Sequence, residues 1–179
     1  MNNNCILVID DNTSDLGLIE RAIKSCSSDS KLVLMDNGQE SIAYLMGEGE
    51  YSDRDQYPYP SMIITDLNMP MIDGFDILEH MKINPSWEVI PTIVLSSSQD
   101  QDDIQTAYML GASAYHVKPH DFFVFEKNIR AMVEYWSLVE HPMTELSGQH
   151  IYTNSENKFG QRFSKPDRNE QVRIDQKKN

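Results

Sequence analysis

Four short apolar runs in this chain each end where a polar or charged side chain follows. Runs of this length, rich in Val and Ile and bounded by turn residues, predict buried β-strands. The runs are residues 5–9 before Asp10 and Asp11, residues 62–65 before Asp66, residues 93–95 before Ser96, and residues 114–117 before Lys118. Because open α/β sheets build their sites at the carboxyl ends of parallel strands, we expect these side chains to converge at one edge of a sheet.

Residues with helical periodicity fill the intervals between these strands. The helices are predicted over residues 14–25, 39–46, 74–84, 103–110 and 122 to about 139, with a further short strand over residues 32–34. Asn12 or Thr13 is available as the N-cap of the first helix. Strands that alternate with helices in this way predict an α/β, doubly wound parallel sheet with helices on both faces.

Two segments do not match the alternating pattern. Residues 47–60 form a polar connection that is longer than such junctions usually need. We expect either a solvated surface loop or a partner-contact loop that uses Tyr51, Tyr57 and Tyr59. Residues 142–179 contain few large apolar side chains. The chain is therefore predicted to have one domain over residues 1–141 and a polar, largely disordered tail after it.

The charge and the composition exclude several classes of protein. Residues 1–141 carry 23 Asp and Glu residues against 8 Lys and Arg residues, a net charge of −15, which argues against a nucleic-acid-binding face. No stretch approaches the ~20 apolar residues that a membrane-spanning helix needs, so we expect no membrane association. Cys5 and Cys26 lack the CxxC spacing, and a reducing, cytoplasmic location is expected.

The side chains at the strand ends favour the chemistry of a divalent cation and a phosphoryl group. Three carboxylates brought together repel one another, and a cation relieves that repulsion. Mg²⁺ prefers hard oxygen ligands, so Asp10 and Asp11 are its natural ligands and Asp66 is a further one. The ammonium of Lys118 suits pairing with carboxylate or phosphate oxygens, and the Ser96 hydroxyl suits a phosphoryl oxygen. A carboxylate nucleophile that accepts a phosphoryl group fits this set.

From about residue 4 to residue 141 the chain resembles the receiver domain of two-component response regulators. The landmarks are Asp10-Asp11, Asp66-Leu67-Asn68-Met69-Pro70 with Asp73-Gly74, Ser96, and Lys118-Pro119. This resemblance implies a flavodoxin-like, five-stranded sheet with the strand order 2-1-3-4-5. Within the family the chain is most similar to single-domain regulators paired with bacterial phytochrome histidine kinases. The features that indicate this are Pro58-Tyr59-Pro60, Ile90-Pro91, residues 95–98 and Trp136.

The resemblance also implies a role for each residue of the acidic site. Asp66 is expected to be the phosphoacceptor, which takes its phosphoryl group from a sensor histidine kinase in a Mg²⁺-dependent reaction. Asp11 is expected to bind the metal directly, Asp10 through water, and Asn68 through its backbone carbonyl. Lys118 is expected to bridge Asp66 and the acidic pair. The chain is expected to phosphorylate itself and not to turn over a separate substrate.

The switch and the output surface are implied in the same way. Ser96 is expected to follow the phosphoryl group, and Tyr115 to swing inward once Ser96 moves. An aromatic residue in an edge strand often serves packing alone, so that alternative stays open. The output face is expected to comprise helix four, strand five and helix five. Apolar residues such as Phe123, Tyr135 and Val139 exceed what one buried stripe needs and suggest a homodimer or partner face.

Two other functions are compatible with parts of this pattern. A Mg²⁺-dependent phosphatase with an aspartyl nucleophile needs an acid/base carboxylate two positions after the nucleophile, and here that position is Asn68, which cannot transfer a proton. A constitutive adaptor that is never phosphorylated would not need the intact set of Asp10, Asp11, Asp66 and Lys118. The response regulator is therefore the function that we expect.

Overall fold

The structure, a computed structural model, describes residues 5–27, 30–84 and 87–139. Over these residues five parallel strands alternate with five α-helices. The elements are β1 (Cys5–Ile9), α1 (Thr13–Cys26), β2 (Lys31–Met35), α2 (Gly38–Met46), β3 (Met62–Thr65), α3 (Gly74–Ile83), β4 (Thr92–Ser96), α4 (Gln101–Met109), β5 (Ala114–Val117) and α5 (Phe122–Ser137). The strand order is β2-β1-β3-β4-β5, so the predicted doubly wound α/β sheet is confirmed.

Side-chain caps set where the helices begin. Asn12, and not Thr13, caps α1 by accepting hydrogen bonds from the backbone amides of Ser14 and Asp15. Asp100 caps α4 through the amide of Asp102, and α4 therefore begins two residues before the predicted start at residue 103. An aspartate or asparagine at this position satisfies amides that have no partner inside the helix.

The core lies on both faces of the sheet, and the central strands are buried throughout. One cluster packs α1 and α5 against the sheet through residues such as Ile19, Ile129 and Val133. A second cluster packs α2 and α3 against the other face, with Leu45 and Ile77 at its centre. Each fully buried side chain of this size contributes roughly 1.5–3 kcal/mol relative to exposure. The edge strand β5 is only half-buried, which leaves that side of the sheet less constrained.

For residues 47–60 the structure corrects the expected partner contact at Tyr51 and Tyr59. The segment contains a 3₁₀ turn at Gly49–Ser52 and folds back over α2. Tyr51 and Tyr59 are 8% and 7% exposed and belong to the core cluster that α2 and α3 form. Residues 48–50, 52, 53, 55 and 56 are exposed, as in the expected solvated loop, but Tyr51 and Tyr59 pack into the core and do not face a partner. Tyr57 is half-buried and contacts the Tyr51 ring edge-on.

Arg54 explains why this polar segment can pack so closely. Its guanidinium donates hydrogen bonds of 2.9 Å to the carbonyl oxygens of Tyr44 and of Leu45, which belong to the last turn of α2. The same group lies 3.9 Å from the centre of the Tyr59 ring. Carbonyl groups at a helix C-terminus lack partners within the helix, and a cation over an aromatic face is favourable. Arg54 thus joins the segment to α2.

The predictions for the C-terminal tail, residues 142–179, lie outside the described residues. The domain boundary at residue 141 accordingly stays a prediction. Among the helices of residues 5–27, 30–84 and 87–139, none combines the length and the apolar character that crossing a bilayer requires.

Gly74 allows the start of α3 to lie directly against the end of β3. Its amide donates to the carbonyl oxygen of Leu67 at 2.9 Å. A Cβ atom at this position would overlap the carbonyl oxygen of Asp66 and would lie 2.7 Å from the Cα atom of Leu67. Because both obstacles are backbone atoms, neither can rotate away. This contact fixes the main chain that carries Asp66.

Gly74→Ala is therefore expected to destabilise the protein, by about 1–3 kcal/mol, the usual cost of overpacking. Gly17→Ala is the matched control, since Gly17 is an exposed position inside α1 with open space around its Cα atom. That change should stabilise the fold by roughly 0.5–1 kcal/mol, because alanine loses less backbone freedom in a helix than glycine. Urea denaturation of both variants measures the difference, and equal midpoints would contradict the close contact at Gly74.

Candidate functional site

The carboxylates that follow β1 and β3 come together at the carboxyl edge of the sheet. One carboxylate oxygen from each of Asp10, Asp11 and Asp66 lies within 4.8 Å of the other two. Asp10 and Asp66 are buried, at 1% and 7% exposure, whereas Asp11 is exposed. The structure thus brings together the three aspartates that the sequence placed at strand ends. We call this group the acidic pocket.

Lys118 extends from the end of β5 into the acidic pocket. Its Nζ atom lies 2.7 Å from Asp10 Oδ2, 3.0 Å from Asp15 Oδ2 and 3.4 Å from Asp66 Oδ2. An ammonium has three hydrogens to donate, and here three carboxylates surround it. Lys118 therefore contacts both Asp66 and the acidic pair, as predicted, and Asp10 is the member of the pair that it contacts.

Asp15 is a member of this site that the sequence reasoning missed. It lies in the first turn of α1, where an acidic residue is usually attributed to the helix N-terminus. The available signal was its position, because Asp15 follows Asp11 by only four residues and lies in the first turn of α1, which begins two residues after Asp11.

Burial and the crowding of charge shift the proton affinities of the pocket. Burial raises the pKa of Asp10 to about 6, although the hydrogen bond from Lys118 opposes this change, and the negative charge of Asp66 adds to it. Burial alone would lower the pKa of Lys118, but its contacts with Asp10, Asp15 and Asp66 outweigh burial and raise that pKa. Three carboxylates share the Lys118 ammonium and Asp11 adds a further negative charge beside them, so a divalent cation would relieve the remaining repulsion.

The buried Ser96 hydroxyl connects the end of β4 to its neighbours. Its oxygen accepts hydrogen bonds of 3.3 Å from the side-chain amide of Asn68 and from the backbone amide of Ser98. The Tyr115 hydroxyl in turn donates to the carbonyl oxygen of Ser98 at 3.0 Å. The two expected switch residues are therefore joined through Ser98, which the sequence reasoning did not single out.

Ser98 also joins this network to α4. Its hydroxyl donates to Asp103 Oδ2 in the first turn of the helix, at 2.6 Å. Ala107 is the one residue of α4 that is fully buried, and the far end of the helix is held by a 2.6 Å hydrogen bond from Lys82 to the carbonyl oxygen of Met109. Few buried apolar contacts indicate an element that moves at low cost.

A five-stranded parallel sheet whose carboxyl edge carries an acidic pocket, a lysine and a buried hydroxyl is the arrangement of a receiver domain. The model of the response regulator receiver domain matches residues 6–130, and the chain belongs to this family. Its function is accordingly that of a response regulator in phosphorelay signalling.

Within the family the chain is similar to several named response regulators. It is 30% identical to the response regulator Rcp1 of Synechocystis sp. over 131 residues, which cover 73% of this chain and 87% of that protein. The structure of the phosphorylated cyanobacterial phytochrome response regulator RcpA superposes with a TM-score of 0.74 at 31% identity, covering 79% of this chain and 99% of that one. The Mn²⁺-bound form of Rcp1 gives a TM-score of 0.73 at 30% identity and covers 78% and 99%.

The shifted pKa of Asp10 makes the stability of the metal-free protein depend on pH. Because this pKa rises from 3.8 to about 6 on folding, the folded protein holds the Asp10 proton more tightly than the unfolded chain does. The stability that this proton contributes is present below about pH 4 and is lost as the pH rises through about 6. Asp10→Asn should flatten this decline, as measured by urea denaturation with a chelator present. An unchanged decline in the variant would contradict the assignment to Asp10.

Proposed function

We propose that the chain accepts a phosphoryl group on Asp66 from a histidine kinase, in a reaction that depends on Mg²⁺. The observation that carries this proposal is the position of Asp66. It ends the central strand β3, shares the acidic pocket with Asp10 and Asp11, and lies 3.4 Å from the Lys118 ammonium. A carboxylate nucleophile beside a cation and a metal-binding group is the arrangement that phosphoryl transfer requires.

The acidic pocket fits a hard divalent cation. Asp10, Asp11 and Asp66 offer carboxylate oxygens at close range, with Asp11 open to solvent, and the Asn68 backbone carbonyl is a further candidate ligand. That a relative of the same fold has been solved in a Mn²⁺-bound form supports the proposal. Bound Mg²⁺ supplies positive charge that offsets the charge of the phosphoryl oxygens.

The chain's own residues then perform the transfer. The Asp66 carboxylate attacks phosphorus, its O–P bond forms as the donor's N–P bond breaks, and the departing imidazole nitrogen keeps the electron pair. Lys118 turns one of its N–H groups to a phosphoryl oxygen. The Ser96 hydroxyl moves towards another phosphoryl oxygen and donates its hydrogen to it. Its contacts with Asn68 and Ser98 leave that hydrogen free, because the Ser96 oxygen is the acceptor in both.

The same movement provides the signal. When Ser96 is drawn towards the phosphoryl group, it pulls on Ser98, which holds Tyr115 through its carbonyl and Asp103 through its hydroxyl. The displacement therefore reaches β5 and the start of α4. A local change of charge that biases a loosely held element is the usual form of such switches.

We extend the proposal to a phytochrome-type kinase as the phosphoryl donor. The support is the similarity to RcpA, which is a cyanobacterial phytochrome response regulator. A regulator in red light signalling of R. palustris superposes on the chain with a TM-score of 0.72 at 27% identity, and it covers 79% of this chain. The alternatives are a phosphatase, which is disfavoured because Asn68, two positions after Asp66, cannot act as a general acid or base, and an adaptor that is never phosphorylated.

Asp66→Asn should abolish phosphorylation, because an amide cannot serve as the nucleophile. Incubation with acetyl phosphate and Mg²⁺ followed by intact-mass spectrometry is expected to show one phosphoryl group on the wild-type protein and none on the variant. Asp102→Asn is the matched control, since it removes an exposed carboxylate in the first turn of α4, and it should be labelled like the wild type. Equal labelling of Asp66→Asn would refute the assignment, and an unlabelled wild type would favour the adaptor.

The exposed apolar side chains of α5 are the proposed route of output through self-association. Phe123 and Tyr135 are 77% and 63% exposed on this helix, and Val139 just beyond it is half-buried. Exposed apolar side chains on one helix are typical of interfaces. We propose that phosphorylation strengthens a homodimer through β5 and α5.

Tyr135→Glu is expected to weaken this association and to leave labelling of Asp66 intact, since a charge in an apolar interface is costly to desolvate. Sedimentation velocity with and without a phosphoryl mimic measures the association. Ile83→Glu is the control, because Ile83 is 72% exposed on α3, and it should associate like the wild type. A protein that stays monomeric in both states would remove the dimer and leave an outside partner.

A further inference from the structure

Asp15 contacts the acidic pocket without belonging to its candidate metal ligands. The N-cap at Asn12 fixes the first turn of α1, since its side chain accepts from the amides of Ser14 and Asp15 at 3.0 and 3.4 Å. The Asp15 side chain is 24% exposed and accepts a 3.0 Å hydrogen bond from Lys118. The cap therefore places this carboxylate beside the ammonium.

The three contacts of Lys118 are unequal. Its Nζ atom is closer to Asp10 and Asp15, at 2.7 and 3.0 Å, than to Asp66, at 3.4 Å. The side chain of Lys118 is only 12% exposed, so solvent offers it little alternative hydrogen bonding. The position of the ammonium is accordingly a balance between carboxylates, and Asp15 draws it towards α1.

We propose that Asp15 is a positioning residue that acts through Lys118, holding the ammonium on the α1 side of the pocket so that Asp10 and Asp66 can bind a divalent cation. Without Asp15, the ammonium has only Asp10 and Asp66 as partners and moves onto the oxygens that the cation needs. Its charge also repels the cation at that distance. This inference rests on the proposed Mg²⁺ site.

A double-mutant cycle on metal affinity separates this role from the mere loss of a negative charge. The four proteins are the wild type, Asp15→Asn, Lys118→Met, and the double variant, each titrated with Mg²⁺ and followed through the amide chemical shifts around Asp11 and Asp66. Asp15→Asn is expected to weaken Mg²⁺ binding about 3- to 10-fold when Lys118 is present and less than about 2-fold when Lys118 is absent. The difference between the two effects is the coupling between Asp15 and Lys118, and its size is typical of residues in contact.

Three further variants make the result unambiguous. Asp11→Asn should lose most of the binding, which shows that the titration reports the acidic pocket. Asp102→Asn should bind Mg²⁺ like the wild type, which excludes a general effect of net charge. Asp15→Glu keeps the carboxylate and should restore part of the affinity that Asp15→Asn loses. If Asp15→Asn does not fold, the comparison of Asp15→Glu with the wild type, in the presence and absence of Lys118, replaces it.

The outcomes distinguish the inference from the proposed function. An equal loss of affinity with and without Lys118 would show that Asp15 acts by charge alone and would overturn the positioning role. An unchanged affinity in Asp15→Asn would overturn it as well. An unchanged affinity in Asp11→Asn would instead refute the metal site itself, and the labelling of Asp66 tests the phosphoryl acceptor independently of either result.

Discussion

The repulsion between carboxylates at the ends of adjacent strands is the constraint on which this structure depends. The parallel register pairs Ile9 with Thr65, so the next residue on each strand, Asp10 and Asp66, must lie side by side. Both are buried, and ionised carboxylates in such a position are costly unless they are paired. The register of β4 with β5 pairs Ser96 with Val117, which puts Lys118 just beyond the sheet edge. One lysine thereby makes a clustered set of aspartates compatible with folding.

Most of the fold and the site residues at the strand ends could be predicted from the sequence, because buried parallel strands leave uninterrupted apolar runs. The residues at the strand ends followed from that signal, and the structure brings Asp10, Asp66 and Lys118 together. Asp15 was missed because an acidic residue in the first turn of a helix has a sufficient local explanation. The burial of Tyr51 and Tyr59 was missed for a related reason. The contacts of Arg54 with backbone carbonyls and with Tyr59 join residues five to ten positions apart without any regular period, and composition carries no record of them.

Stability is unevenly distributed around the acidic pocket. On one side, α1 and α5 pack against the sheet through a continuous set of buried side chains. On the other side, α4 relies on Ala107 and on polar contacts at its two ends, from Ser98 and from Lys82. Polar contacts of this kind exchange readily with water and contribute little net free energy. The element that the switch must move is thus also the one that is held least firmly.

The backbone contact at Gly74 gives the pocket one rigid wall. The main chain of Asp66 and Leu67 lies against the start of α3 with no room for a methyl group. The backbone of Asp66 therefore cannot move towards α3 to make room for a bulky group on its side chain. The loop after β4 begins at Ser96, which contacts Asn68, and it leads to α4, in which only Ala107 is buried. For the phosphorylation proposed at Asp66, steric asymmetry would therefore set the direction in which the molecule deforms before any modification occurs.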